Sequence, residues 1–255
     1  MPTRRADAPA QVSRWLAAWR LARALVHVLA GLLTILLRFP RLSAEQRELR
    51  VQIWSRALLA CLGVRLQVQG PAALPGPLLI VANHISWLDI ASLHAARYCR
   101  FVSKADVARW PLIGRLAGGV GTLFIQRESR RDAMRVVHHM AERLRAGEVL
   151  AVFPEGTTSD GSGLLPFHAN LLQAALAADA PVQPVSLQYL DGRSGQRSAA
   201  PAYVGDDTLL ASLWRTARAR DLTVRLVFGQ PQQAHGRDRR RWAQDLREQV
   251  LSLRA

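Results

Sequence analysis

Cysteine is nearly absent: the 255 residues hold two, Cys61 and Cys99. Two thiols build neither a disulfide framework nor a metal cluster, and sparse cysteine suits a reducing compartment. Zinc-ligand spacing is missing as well. His94 and His168 have no partners at ligand spacing, and His138 and His139 sit mid-helix among arginines as a solvated face, so no metal is expected. Aromatic residues make up 6% of the chain and carry no recognisable RNA-binding signature, which weighs against nucleic acid as a partner. No G-x-S-x-G occurs, so the strand-to-helix nucleophile turn of serine hydrolases is excluded. Internal repeats and long low-complexity segments are also lacking.

Apolar residues and positive charge are abundant. Hydrophobic residues make up 49% of the chain, ample for a sizeable core. Lys and Arg number 34 against 19 Asp and Glu, a net charge of +15 dominated by arginine. Such a balance favours anionic partners: nucleic acid, acidic lipid headgroups or an acidic carrier protein.

The amino terminus favours a membrane surface. Met1 to Ala10 is polar and reads as disordered. Trp15 to Leu37 reads as helix. Its uncharged core, Ala24 to Leu37, falls short of the roughly 20 residues that span a bilayer. Extending it back to Trp15 brings in Arg20 and Arg23, which would have to snorkel. We therefore expect a helix inserted into, or lying in, one leaflet. Arg14, Arg20, Arg23, Arg38 and Arg41 would then meet anionic headgroups. Two other readings stand beside it. A signal peptide is disfavoured, because Arg38-Phe39-Pro40-Arg41 follows where a small-residue cleavage site belongs. The other is a helix buried against the domain. Ser43 to Leu62 reads as a second helix, with Pro40 in the turn between the two. The expected division is 1–62, membrane-associating helices, and 63–255, one α/β domain.

Beyond residue 62 strands and helices alternate. Strands are expected at Val64–Val68, Leu78–Ala82, Arg100–Ser103, Gly121–Ile125, Val149–Phe153, Val182–Tyr189 and Thr223–Phe228. Helices are expected at Ile90–Ala96, at Ser129–Ala146 with Ser129 as cap, at Phe167–Ala178 and at Arg239–Leu253. This pattern predicts an α/β fold: a mixed, largely parallel sheet flanked by helices.

The most informative stretch is Asn83-His84-Ile85-Ser86-Trp87-Leu88-Asp89. It puts a histidine and a carboxylate at the carboxyl end of a buried strand, where open α/β sheets hold their ligands. A histidine acting as general base needs an orienting carboxylate. A plainer reading competes: Ser86-x-x-Asp89 has the spacing of a capping box, so Asp89 could serve only the helix start.

Three later segments bear on that choice. Gly121-Thr122-Leu123-Phe124-Ile125-Gln126-Arg127 is a β-rich run ending in a cation. Phe153-Pro154-Glu155-Gly156-Thr157 closes a buried strand, and Pro181-Val182-Gln183-Pro184-Val185 opens another. Together with Asn83 to Asp89 these pieces, in this order, resemble the glycerolipid acyltransferase family, with its NHxxxxD, GxxFIxR and FPEGT blocks. Gln126 stands where the family often has Asp.

The resemblance implies acyl transfer from a thioester, acyl-CoA or acyl carrier protein, to a lysolipid acceptor, foremost 1-acyl-sn-glycerol-3-phosphate. No cofactor is required. His84 would be the general base and Asp89 its orienting partner, with direct attack on the thioester. Arg127 would grip the acceptor phosphate. Glu155, Gly156 and Thr157 would shape the acceptor site, Glu155 by pairing with Arg127 or contacting a hydroxyl. Lys104 resembles a supporting lysine between the first two blocks. The implied location is the cytosolic face of the inner (cytoplasmic) membrane. A phosphate-free acceptor such as a lyso-ornithine lipid fits the same motifs. A basic membrane-binding protein without catalysis is the alternative of another class.

Overall fold

The computed structural model describes residues 11–125 and 130–254, leaving out the side chains of Lys104, Ile125, Arg130, Arg131 and Ala133. The expected disorder of Met1 to Ala10, the Ser129 cap and Arg127 therefore lie outside the described residues.

Seven strands form one sheet: β1 Arg65–Gln69, β2 Leu78–Ala82, β3 Arg100–Lys104, β4 Leu123–Ile125, β5 Val149–Val152, β6 Val182–Asp191 and β7 Leu222–Phe228. Their order is β1-β7-β6-β2-β5-β3-β4. Every neighbouring pair is parallel except β6 and β7. The sheet is thus mixed and mostly parallel, as the alternation predicts. Its consequence for the site is geometric: β2, β3, β4, β5 and β6 all end at one edge.

The helices are α1 Arg14–Leu37, α2 Ala44–Leu62, α3 Leu88–Ala96, α4 Ile113–Gly119, α5 Arg130–Arg145, α6 Leu172–Ala178, α7 Leu209–Arg218 and α8 Arg239–Ser252. They cover both faces of the sheet. Strand residues alternate sides, so Leu78, Ile80 and Ala82 of β2 join one core and Leu79 and Val81 the other. The first core is filled from Leu58, Leu59 and Leu62 of α2 and Leu88 and Leu93 of α3. The second is filled by Met140 and Leu144 of α5, Leu172 of α6, and Trp242 and Leu246 of α8. Cys61 and Cys99 are both buried free thiols, and burial pushes the Cys99 thiol up to about 12.

Two helices were not expected from the sequence, α4 and α7. The Gly-rich run of α4 has little intrinsic helix preference and takes its shape from packing. A Cβ at Gly119 would fall 2.6 Å from Ile35 of α1, so the two helices meet closely there. α7 is capped by Thr208, whose hydroxyl accepts from the Ala211 amide at 3.2 Å. The carboxyl end of the expected Phe167–Ala178 helix is α6, preceded by one 3-10 turn at Ala169–Leu171.

The amino-terminal hairpin is fixed to the domain. Ser43 starts α2 with a reciprocal capping box to Gln46. Gly31 lets α1 cross α2, since any Cβ there would overlap the Trp54 indole. At that crossing Trp54 Nε1 donates to the His27 carbonyl at 3.1 Å, and His27 Nε2 donates to the Trp54 carbonyl at 2.9 Å. Ala17, Ala24 and Gly31, seven residues apart, line the buried stripe of α1. Arg20 does not face headgroups as expected. Its guanidinium turns inward and donates to the carbonyls of Ala217 and Ala219, both at 2.9 Å, at the carboxyl end of α7. The opposite face of α1 exposes Trp15, Trp19, Leu25, Val26, Leu29, Leu33 and Leu36. At 24 residues, α1 is long and apolar enough to cross a membrane.

Candidate active site

Asn83 and His84 follow β2 directly, and the chain then turns into α3. The turn is pinned across the sheet edge. Asn83 exchanges two hydrogen bonds with the main chain of β6: Nδ2 to the Leu187 carbonyl at 3.0 Å and the Leu187 amide to Oδ1 at 2.8 Å.

Asp89 lies in the first turn of α3 with no exposed surface. Its Oδ2 accepts from the amides of Ile85 at 2.6 Å and Ser86 at 2.9 Å, and from His84 Nδ1 at 2.7 Å. Its Oδ1 accepts from the Tyr189 hydroxyl at 2.8 Å. The two sequence readings of Asp89 thus share one carboxylate, which anchors the turn and holds the imidazole. Only half of a capping box forms. The Asp89 amide donates to the Ser86 carbonyl at 3.1 Å, while Ser86 Oγ accepts from Leu88 at 3.3 Å.

The His84 ring is fixed in plane as well as in tautomer. It stacks on Phe153 with centroids 4.0 Å apart and planes 5° apart, and Phe153 stacks on Phe101. With Nδ1 bonded to Asp89, Nε2 is the free acceptor, and it makes no hydrogen bond among the described residues. The side chain keeps 19% of its surface open. An alcohol reaching that edge would meet the second ring nitrogen of an imidazole backed by a buried carboxylate, the arrangement of a general base.

Phe153 to Gly156 forms a turn after β5, closed by the Gly156 amide on the Phe153 carbonyl at 3.1 Å. Gly156 has φ 73°, and a Cβ there would sit 3.0 Å from the His168 ring. Thr157 is exposed. The expected pairing of Glu155 with Arg127 lies outside the described residues, and the contacts that Glu155 makes are to the main chain. Glu155 is 3% exposed, its Oε1 accepts from the His84 amide at 2.7 Å and its Oε2 from the Leu165 amide at 2.8 Å. Glu155 therefore braces the His84 turn against the loop after β5. Burial raises its pKa, opposed by those two amides and by the charges of His84 and Arg254.

Lys104 ends β3 and pairs in register with Ile125 at the end of β4, so its backbone lies on the same edge as His84; its side chain is outside the described residues. Arg127 follows β4 by two positions in the sequence. His94 is removed from the site: it is buried beside Tyr98 and Phe101, and burial pushes it down to about 4. Trp87 donates to Ser212 Oγ of α7 at 3.0 Å, and Trp110 is exposed.

Sequence reasoning did not find three contributors. Tyr189 lies 100 residues from Asp89 in an ordinary-looking strand. Ser159 donates from its amide to the His84 carbonyl at 2.9 Å. The Tyr203 amide donates to the Ile85 carbonyl at 3.1 Å, and the Tyr203 carbonyl accepts from Thr158 Oγ1. The segment before α7 thereby ties together the two motif loops.

Comparison with known proteins gives the family and the fold. The acyltransferase family matches residues 65–188, from β1 into β6. A 1-acyl-sn-glycerol-3-phosphate acyltransferase of Neisseria meningitidis is 40% identical over 185 residues, 72% of each chain. A lyso-ornithine lipid O-acyltransferase of Pseudomonas aeruginosa is 40% identical over 204 residues, 80% of this chain and 78% of the relative. The crystal structure of the 1-acyl-sn-glycerophosphate acyltransferase from Thermotoga maritima superposes with a TM-score of 0.70 at 20% identity, covering 94% of this chain and 95% of that one, which shows the shared fold. The chain belongs to the acyltransferase family. It is an O-acyltransferase of the lysolipid acyltransferase type.

Proposed function

We propose that the protein moves a fatty acyl group from acyl-CoA or acyl carrier protein to 1-acyl-sn-glycerol-3-phosphate, giving phosphatidic acid. The observation that carries this reading is the His84–Asp89 pair, held at 2.7 Å with Nε2 open at the edge where β2 and β5 end. His84 takes the proton of the acceptor hydroxyl as its oxygen attacks the thioester carbonyl. Asp89 stabilises the imidazolium formed. The thiolate of the donor leaves and receives a proton, so no acyl-enzyme is needed. Arg127 binds the acceptor phosphate through two parallel hydrogen bonds. Lys104, Gly156 and Thr157 border the acceptor. The apolar face of α1 holds the protein on the cytosolic face of the inner membrane, where the lysolipid is presented.

A second acceptor is supported by a specific observation. The lyso-ornithine lipid relative matches a larger share of this chain than the Neisseria relative at the same identity. The test is transfer from a labelled acyl thioester to lysophosphatidic acid and to lyso-ornithine lipid in parallel, wild type against His84→Ala. Transfer to the first that is lost in the variant supports the main reading. Transfer to the second alone keeps the chemistry and changes the acceptor. Undiminished transfer by His84→Ala removes His84 as base.

A further inference from the structure

The Asp89 carboxylate is not bonded evenly. Three donors, the amides of Ile85 and Ser86 and His84 Nδ1, converge on Oδ2, and the Tyr189 hydroxyl stands alone on Oδ1 at 2.8 Å. Tyr189 comes from β6, on the far side of β2 from β5, and its side chain is buried. Burial, and then the charge of Asp89, push its pKa well above the ordinary tyrosine value, so the hydroxyl stays protonated and donates. Ser92 of α3 places a neutral hydroxyl beside it. On the opposite side Glu155 bonds to the main-chain amides of His84 and Leu165, and its charge also interacts with that of His84, a contribution that a change at Tyr189 leaves in place. Among the described residues no other charged side chain bonds to the pair.

We propose that Tyr189 is a positioning residue for the transfer reaction: its hydroxyl draws charge from Asp89 Oδ1 and so limits how tightly His84 holds a proton. The inference rests on the reading of His84 and Asp89 as base and orienting partner. Its logic is electrostatic. Removing the hydroxyl leaves Oδ1 buried without a donor, and the negative charge facing the imidazole is less dispersed. The imidazolium is then favoured, and the base is occupied by a proton up to a higher pH. The two amides on Oδ2 remain and keep the carboxylate in place, so orientation survives while basicity changes.

The test is the pH profile of kcat/KM for wild type, Tyr189→Phe, and protein with 3-fluorotyrosine at position 189, with His84→Ala as control. Tyr189→Phe should move the acid limb up by about one pH unit, a loss of about tenfold below the limb and much less on the plateau. The fluorinated phenol is more acidic and a stronger donor, and keeps the ring volume, so its limb should move down. Opposite shifts support the proposal. Superimposed limbs, or an equal loss at every pH, overturn it and leave Tyr189 as core packing. Should Tyr189→Phe not fold, the fluorotyrosine protein decides alone, and an unmoved limb overturns the proposal. Equal turnover by wild type and His84→Ala would overturn the parent reading, a result separable from the others because it needs no pH dependence.

Discussion

Replacing Asp89 by Asn separates the two tasks of this carboxylate. Three donors point at Oδ2, so the amide oxygen of Asn must take that place and its NH2 must face Tyr189. The tyrosine hydroxyl can turn to accept from the NH2 and direct its own proton toward Ser92, which lies beside it. The turn and the His84 tautomer are then preserved, and only the charge is lost. Two unit charges about 4 Å apart attract by about 4 kcal/mol at an effective dielectric of about 20. Lost from the transition state, that is about 10²- to 10³-fold in kcat, since each factor of ten is about 1.4 kcal/mol. The Michaelis constant for the acceptor should change by less than about threefold, because Asp89 does not reach the open side of the imidazole. The melting temperature should fall by no more than a few degrees. Asp89→Ala is the contrast. It strips the partner from two buried amides and one buried hydroxyl, and should cost about 3–5 kcal/mol of stability. The assay is steady-state acyl transfer paired with thermal melting of both variants. Asp89→Asn with kcat within tenfold of wild type and a large drop in melting temperature would refute the dyad and leave Asp89 as a turn anchor.

Glu155→Gln should lower stability by about 1–3 kcal/mol, seen as a lower melting temperature, because its NH2 must face a main-chain donor at His84 or Leu165. Burial raises the folded-state pKa of Glu155 above its unfolded value, so the native state binds its proton more readily. The wild type should therefore gain stability relative to Glu155→Gln as pH falls through the window between those two values; a difference in melting temperature that stays constant with pH would contradict the burial argument. Leu29→Ser with Leu33→Ser should leave the fold intact, since both side chains are exposed on α1, yet reduce partition onto anionic vesicles about 10- to 100-fold. Unchanged flotation would place the membrane contact elsewhere. Arg127→Ala should raise the Michaelis constant for a phosphate-bearing acceptor at least about tenfold more than for a neutral one, and equal effects on both would remove the phosphate assignment.

Features that depend on neighbours along the chain could be read from the order of residues. Apolar runs such as Leu78 to Ala82 mark buried strands, and the seven strands and most helices fall close to where periodicity puts them. The His84–Asp89 pair was legible because its partners lie five residues apart, within one strand-to-helix turn. Side-chain direction across the fold was not legible. Arg20 has the spacing of a headgroup contact, yet the docking of α1 on α7 turns it toward two carbonyls. Glu155 has the position of a ligand contact, yet the parallel pairing of β2 with β5 brings the His84 amide to its Oε1. Tyr189 reaches Asp89 only because β6 pairs with β2 after a crossover of the chain. Local pattern specifies which residues form an element and which face is apolar. Which polar group meets which is decided by long-range pairing, because a buried donor or acceptor takes the partner that the assembled sheet presents to it.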